Sequence, residues 1–323
     1  MRAETLRGII PGAHWEAIDT DEGFRQAGRI WKSAAFRFQL GPLVRDINQR
    51  VVEQTRGKHH DLIWVDKGNY LWPASVRHLR ESANCLVHFT PDTAFHANRS
   101  RHFYASAFQY DLLVTTKSFE VDQYDAVTSG DPVYLATQAY DAKLHRQPEQ
   151  LPARIQAAVF IGLCEPDREK CIKALLSAGV PVRLGGRGWE QFVQRHSAHG
   201  CLHYLGPEVF GPRYVEEYVS GYVGLGLLSK RFPELHTTRT FEIPACGALL
   251  ATEKNAETAR FFGPDEVVFF ENYQMLAAEL ATLLEQPQKI EEIAAKGQQR
   301  VLTGGFDYAS VLSGILRRVS LIK

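Results

Sequence analysis

From Gln156 to Gly179 the chain reads QAAVFIGLCEPDREKCIKALLSAG. A continuous apolar run of strand length passes directly into a segment that has Pro166 at its first position and Gly179 just past its last. Proline suits a first helical turn, where its missing N–H has no partner anyway, and glycine suits the left-handed residue beyond a helix end. A strand apolar on both faces, followed by a helix, is half of a parallel βαβ unit. The alternation recurs on both sides of a polar, twice-proline segment from Leu144 to Gln156, which has the composition of a linker. Strands are predicted at His14–Asp21, Asp61–Gly68, Asn84–Asp92, Tyr110–Lys117 and Pro132–Ala139 in the first half. In the second they are predicted at Gln156–Glu165 and within PVRLGG, GYVGLGLL, ALLATE and EVVFFEN. Leu43, Ile47, Val51 and Val52 recur at helical spacing inside Gly41–Gly57, and the tail from Tyr273 to Lys323 reads as nearly all helix. The expected architecture is α/β: two doubly wound domains facing one another, residues 1–152 and 153–323, with the last helix packing back on the first domain. Ligands of such sheets bind at the carboxyl ends of the strands.

Composition narrows the partners. Hydrophobic residues are 45% and charged residues 23%, the balance of a globular chain. The 37 acidic and 37 basic residues cancel, so no basic footprint for nucleic acid is implied. Cys85, Cys164, Cys171, Cys201 and Cys246 form no C-x-x-C pair and read as reduced, structural thiols. The first residues carry charge where a secretory signal would be apolar, and no run approaches the ~18 apolar residues of a membrane span. The expected location is cytoplasmic, with peripheral membrane contact left open.

The densest functional signal is PELHTTRTFEIPACGALL, from Pro233 to Leu250. Pro244 restricts a helix here to a short one beginning near Thr240, whose hydroxyl would cap it, and Gly247 would stop it. Its free N–H groups, with Lys230, Arg231 and Arg239 close in sequence, suit an anion such as phosphate. Glu234 in the preceding loop can accept hydrogen bonds from hydroxyls. Phosphate and polyol together describe a nucleotide sugar. A plainer reading makes Glu242 a dipole-matching surface acid and Glu234 a solvated loop residue; the residues alone do not choose between the two.

TRTFEIPACGALLATE, followed by FFGPDEVVFFENYQMLAAELATLLEQPQK, resembles the C-terminal domain of glycosyltransferases of the GT-B type, built from two Rossmann-like domains. The R-x-F-E-I-P-A-x-G string is similar to the spore maturation protein CgeB-like branch, and Glu234 and Glu242 match the E-x7-E spacing of the large retaining family. The similarity runs from about Ala157 to Val319; the first half resembles the family only in strand order and in HFTPD. The resemblance implies that Glu242 binds the donor ribose, that Glu234 holds hydroxyls of the transferred sugar, and that the turn at Gly162 approaches the diphosphate. Arg168 and Lys230 would reach phosphate from either side, with Lys170 as fallback for Arg168; Thr238, Arg239 and Thr240 complete the donor set. Relatives place an arginine almost directly after that glycine, where this chain has LCEPDREK. They also have a first strand and glycine-rich loop ahead of the segment that starts this chain, so the N-terminal domain is expected to lack its first strand.

The implied activity is hexosyltransferase-like: transfer from a nucleotide-diphosphate sugar, uridine diphosphate first among carriers, to an unknown acceptor (a glycan, lipid, small molecule or protein). Retention of configuration follows from the E-x7-E resemblance. Cationic side chains can stabilise the leaving diphosphate, so neither metal nor cofactor is expected; HSAH (His196–His199) and KHH (Lys58–His60) lack a third ligand. His88, Asp92 and His96 in VHFTPDTAFHANRSRH are the acceptor-side candidates, as acceptor ligands or a base, against ordinary turn chemistry for Pro-Asp. GYVGLGLL is not a nicotinamide fingerprint, and GGRG lacks the ending of a phosphate-binding loop. Two alternatives remain: a nucleotide-sugar epimerase, and a non-catalytic nucleotide-binding or assembly protein.

Overall fold

The computed structural model describes residues 2–128 and 133–321. The chain forms two compact units: Gln138–Val311, and Arg2–Thr137 joined by the segment from Leu312 onward. The first-half unit therefore closes at Thr137, ahead of the boundary expected near residue 152.

That unit carries a parallel sheet, β1 (His60–Asp66), β2 (Ala83–Thr90), β3 (Leu112–Thr115) and β4 (Val133–Leu135), in the order β1-β2-β3-β4. β2 and β3 are apolar on both faces because helices cover both, and Leu86, Val87, Leu113 and Val114 are buried. The helix Pro42–Thr55 turns Ile47 and Val51 inward, as its spacing predicts, with Val44 beside them, while Leu43 and Val52 are half-buried. The predicted strand at His14–Asp21 is not one: the segment has no ladder partner among the described residues. Its acids are spent on ion pairs instead, Glu16 with Lys58 at 2.7 Å and Asp19 with Arg25 at 2.6 Å, while Ile18 packs on the core. The first sheet begins at β1. Pro132, the first residue of the fifth predicted strand, lies outside the described residues.

The second unit carries β5 (Ile155–Ile161), β6 (Val182–Gly185), β7 (Leu202–Gly206), β8 (Gly221–Gly226), β9 (Leu249–Glu253) and β10 (Val268–Phe270). All pair in parallel in the order β10-β9-β8-β5-β6-β7, so the winding reverses between β5 and β8. That reversal opens a crevice at the strands' carboxyl ends. β7 was not predicted. The helix Arg239–Ala245 packs directly on β8, because a Cβ on Gly224 would stand 2.5 Å from Ile243 Cγ2. The tail folds as three helices, Tyr273–Leu283, Pro287–Thr303 and Tyr308–Arg318.

Candidate functional site

The turn after β5 is fixed by backbone. Gly162 N–H donates to Gly185 O at 3.0 Å, and Gly162 O accepts from Trp189 Nε1 at 2.8 Å. Gly186, at φ +121°, lies so close that a Cβ there would stand 2.1 Å from Gly162 O. Only glycine combines that backbone conformation with that approach.

Arg168, in the first turn of the helix Pro166–Ser177, is 5% exposed. Its guanidinium donates to Leu163 O at 3.1 Å and Leu227 O at 3.4 Å, and pairs with Glu165 at 3.0 Å. Ser229 Oγ donates to the other Glu165 oxygen at 2.8 Å. The network straps the turn after β5 to the turn after β8 across the winding reversal. Burial, and secondly the charge of Arg239, push the Arg168 pKa down.

Arg239 is the second cation. Its guanidinium carbon stands 5.6 Å from the Phe160 ring centroid, as does that of Arg168, so two positive groups share one ring. Its Nη1 would lie 3.5 Å from a Cβ on Gly162, which places it beside that turn. Its Nε is buried without a hydrogen-bond partner, and no carboxylate lies within 4 Å of it among the described residues. Two neighbouring cations, one of them unpaired, make a site that favours an anion.

The flanking residues divide. Lys230 is ion-paired with Glu253 at the end of β9. Glu234 is half-buried, and its charge acts on Arg168. Glu242 accepts from the Tyr214 hydroxyl at 2.7 Å, and its other oxygen is 3.9 Å from His145 Nε2. His145 Nδ1 accepts from Asp141 N–H at 3.1 Å, which leaves the imidazole proton on Nε2, toward Glu242. Burial lowers the His145 pKa, so the ring stays neutral. The helix begins at Arg239 rather than Thr240, with Thr238 at the cap position and no side-chain cap bond. Thr240 is fully buried, and its hydroxyl accepts from Thr237 N–H at 3.1 Å. Gly247, at φ +83°, ends the helix as predicted.

In the other unit, Asp92 pairs with Lys67 at 2.6 Å, and His96 Nδ1 lies 2.8 Å from Glu120. Glu120, fully buried, also accepts from the N–H groups of Ala94 at 2.8 Å and Phe95 at 3.0 Å, and so holds the loop after β2. His88 is enclosed, not open to solvent. It is 1% exposed, stacked on Phe103 with centroids 4.5 Å apart, and donates from Nε2 to Lys67 O at 2.9 Å. Its position in β2 turns it inward, and burial lowers its pKa to about 4. A depressed histidine pKa means the unfolded chain takes up a proton before the folded one does, so stability falls as pH drops from about 6.5 toward 4. The lowered pKa predicts a loss of roughly 3 kcal/mol across that window. Urea unfolding of His88→Phe should show a flatter pH dependence than wild type; an unchanged slope would refute this assignment.

Sequence reasoning missed Glu165, Ser229, Tyr214 and Glu120. Their signal is pairing across long sequence separations, which spacing within one segment does not carry.

A glycosyl transferase-like family model matches residues 168–317. No curated protein matches the chain. Among solved structures, the chain resembles sucrose-phosphate synthase from Thermosynechococcus elongatus, with 15% identity over 91% of this chain and 82% of that one, and a TM-score of 0.63. Anabaena HepE in complex with UDP-glucose is 14% identical, covers 99% of this chain and 96% of that one, and has a TM-score of 0.61. E. coli trehalose-6-phosphate protein bound with UDP-2-fluoro glucose is 14% identical over 94% and 85%, with a TM-score of 0.60. The two parallel-sheet α/β units are thus those of the GT-B fold.

Proposed function

We propose that the protein transfers a sugar from a nucleotide-diphosphate donor, with UDP-sugars first among them, to an acceptor hydroxyl. The observation that carries the reading is the unpaired Arg239 beside Gly162, next to Arg168 at the winding reversal. A diphosphate seated there meets a guanidinium with donors to spare. Four of the structures that share the fold, three of them of HepE, hold UDP or a UDP-sugar.

Each residue then takes a role. Arg239 binds the diphosphate and stabilises the charge that grows on it as the bond to the sugar C1 breaks, which removes the need for a metal at that step. Arg168 holds the two turns together and adds positive potential without touching the ligand. Glu242, oriented by Tyr214, accepts from the ribose hydroxyls, and Glu234 accepts from the sugar. Retention of configuration, the outcome the E-x7-E resemblance implies, has the acceptor oxygen bond to C1 on the face the diphosphate leaves. The acceptor proton passes to a departing phosphate oxygen.

Calorimetry with UDP and UDP-sugars tests the reading. Binding at micromolar to sub-millimolar affinity, with other nucleoside diphosphates weaker, is expected. Binding of nicotinamide cofactors alone would overturn it. Isomerisation of the donor without acceptor would make the protein an epimerase.

A further inference from the structure

We propose that the helix Arg29–Phe38 in the first unit docks the protein on the surface of a bilayer that carries anionic lipid. This does not rest on the donor reading. The helix reads RIWKSAAFRF, and of its ten residues only Ala35 is buried. Ile30 is 81% exposed, Trp31 54%, Phe36 67% and Phe38 61%, and Leu40 just beyond is 50% exposed. At 3.6 residues per turn, Ile30, Ala34, Phe38 and Trp31 fall on one arc, and Arg29, Lys32, Ser33 and Arg37 fall on the adjoining one together with Phe36. A short helix with an exposed aromatic-aliphatic arc bordered by cations, and a further exposed aromatic among them, has the pattern of an interfacial element.

Charge identifies the occupant. No acidic residue occurs between Glu22 and Asp46, whereas Arg25, Arg29, Lys32, Arg37 and Arg45 do. Arg29, Lys32, Arg37 and Arg45 have no carboxylate within 4 Å among the described residues. The end of the helix is fastened to a further basic segment. Gln39, in the left-handed conformation at φ 53°, donates through Nε2 to Arg99 O, accepts at Oε1 from Arg101 N–H at 3.0 Å, and accepts at its own carbonyl from His102 Nε2 at 2.8 Å. Arg99 and Arg101 are exposed. The surface thus pairs aromatic side chains that favour the lipid-water boundary with cations that favour anionic headgroups. A second copy of the chain is the weaker occupant, since a two-fold contact would set these cations against their equivalents. Among the described residues no helix is long and apolar enough to cross a membrane, so the contact is peripheral.

Co-sedimentation of the full chain with vesicles tests this. Phosphatidylcholine vesicles with about one third phosphatidylglycerol should bind it, and neutral vesicles about tenfold less or weaker. Ile30→Ser/Trp31→Ser/Phe38→Ser should lower partitioning at least about tenfold, because the lost apolar area drives insertion. Arg29→Glu/Arg37→Glu should lower it about fivefold or more per residue, and salt should mimic that change. Both sets lie at exposed positions, so a thermal transition matching wild type serves as the fold control. Quenching of tryptophan fluorescence by brominated lipid should fall in Trp31→Phe while that variant still binds. No binding to the anionic vesicles, binding that both variant sets leave intact, or a dimer that hides Trp31 from quencher would each overturn the proposal. So would duplex DNA bound in preference to vesicles.

Discussion

Replacing Arg239 by Gln should weaken UDP binding roughly 10- to 100-fold, the worth of a hydrogen bond to a charged group, while the thermal transition barely moves. The two halves of that expectation come from the same geometry. Arg239 has no carboxylate partner among the described residues, and its Nε is buried without a bond, so little that stabilises the fold is lost with it. Arg168 is the internal contrast. Its donors hold Leu163 O and Leu227 O, and its charge faces Glu165. Losing that cation leaves the largely enclosed Glu165 carboxylate with the Ser229 hydroxyl alone, so Arg168→Gln should lower stability as well as affinity. Turnover in Arg239→Gln should fall further than binding does, because charge on the diphosphate is greatest as the sugar departs. Unchanged UDP affinity, by calorimetry at fixed ionic strength, would remove the diphosphate from this place.

Gly186→Ala should be the most damaging single methyl group in the second unit. The new Cβ would stand 2.1 Å from Gly162 O, a backbone atom in a turn already pinned by Gly185 O and Trp189 Nε1. The φ of +121° adds strain for any residue with a side chain. Together these predict roughly 3 kcal/mol or more of destabilisation. Relief requires Gly162 to move, and Gly162 lies beside Arg239, so UDP affinity should fall with stability. Gly200→Ala is the control: it has open space around it and no positive φ, and should change stability by less than about 0.5 kcal/mol. Urea-unfolding midpoints for the two variants decide the matter; equal midpoints would show that the β5 turn is not held as described.

The sheet of the second unit was legible because β5, β8 and β9 are apolar on both faces, so each reads as an unbroken run. β7 was not, because an edge strand keeps one side open. Leu202–Gly206 therefore carries His203 and a half-exposed Tyr204 and reads as a loop. The alternation in His14–Asp21 imitates a half-buried strand, but a strand needs a neighbour to bond with, and period alone does not supply one. Motif, charge and resemblance singled out Gly162, Arg239, Glu234 and Glu242, and of these the structure sets Arg239 beside Gly162. What Arg168 does was not, because its partner Leu227 lies 59 positions away. His88 shows the limit on the other side: a polar residue near a strand end looks available, and only packing against Phe103 and Tyr110 shows it enclosed.

The helix Tyr308–Arg318 has a consequence for biosynthesis. Its later part, from Leu312, belongs to the unit that begins the chain, and Leu312, Ile315 and Leu316 are each wholly enclosed. On the ribosome, the stretch from Gln138 to Val311 emerges whole before those three side chains exist outside the exit tunnel. The unit translated first thus gains its last helical segment only after the stretch from Gln138 to Val311 has been made.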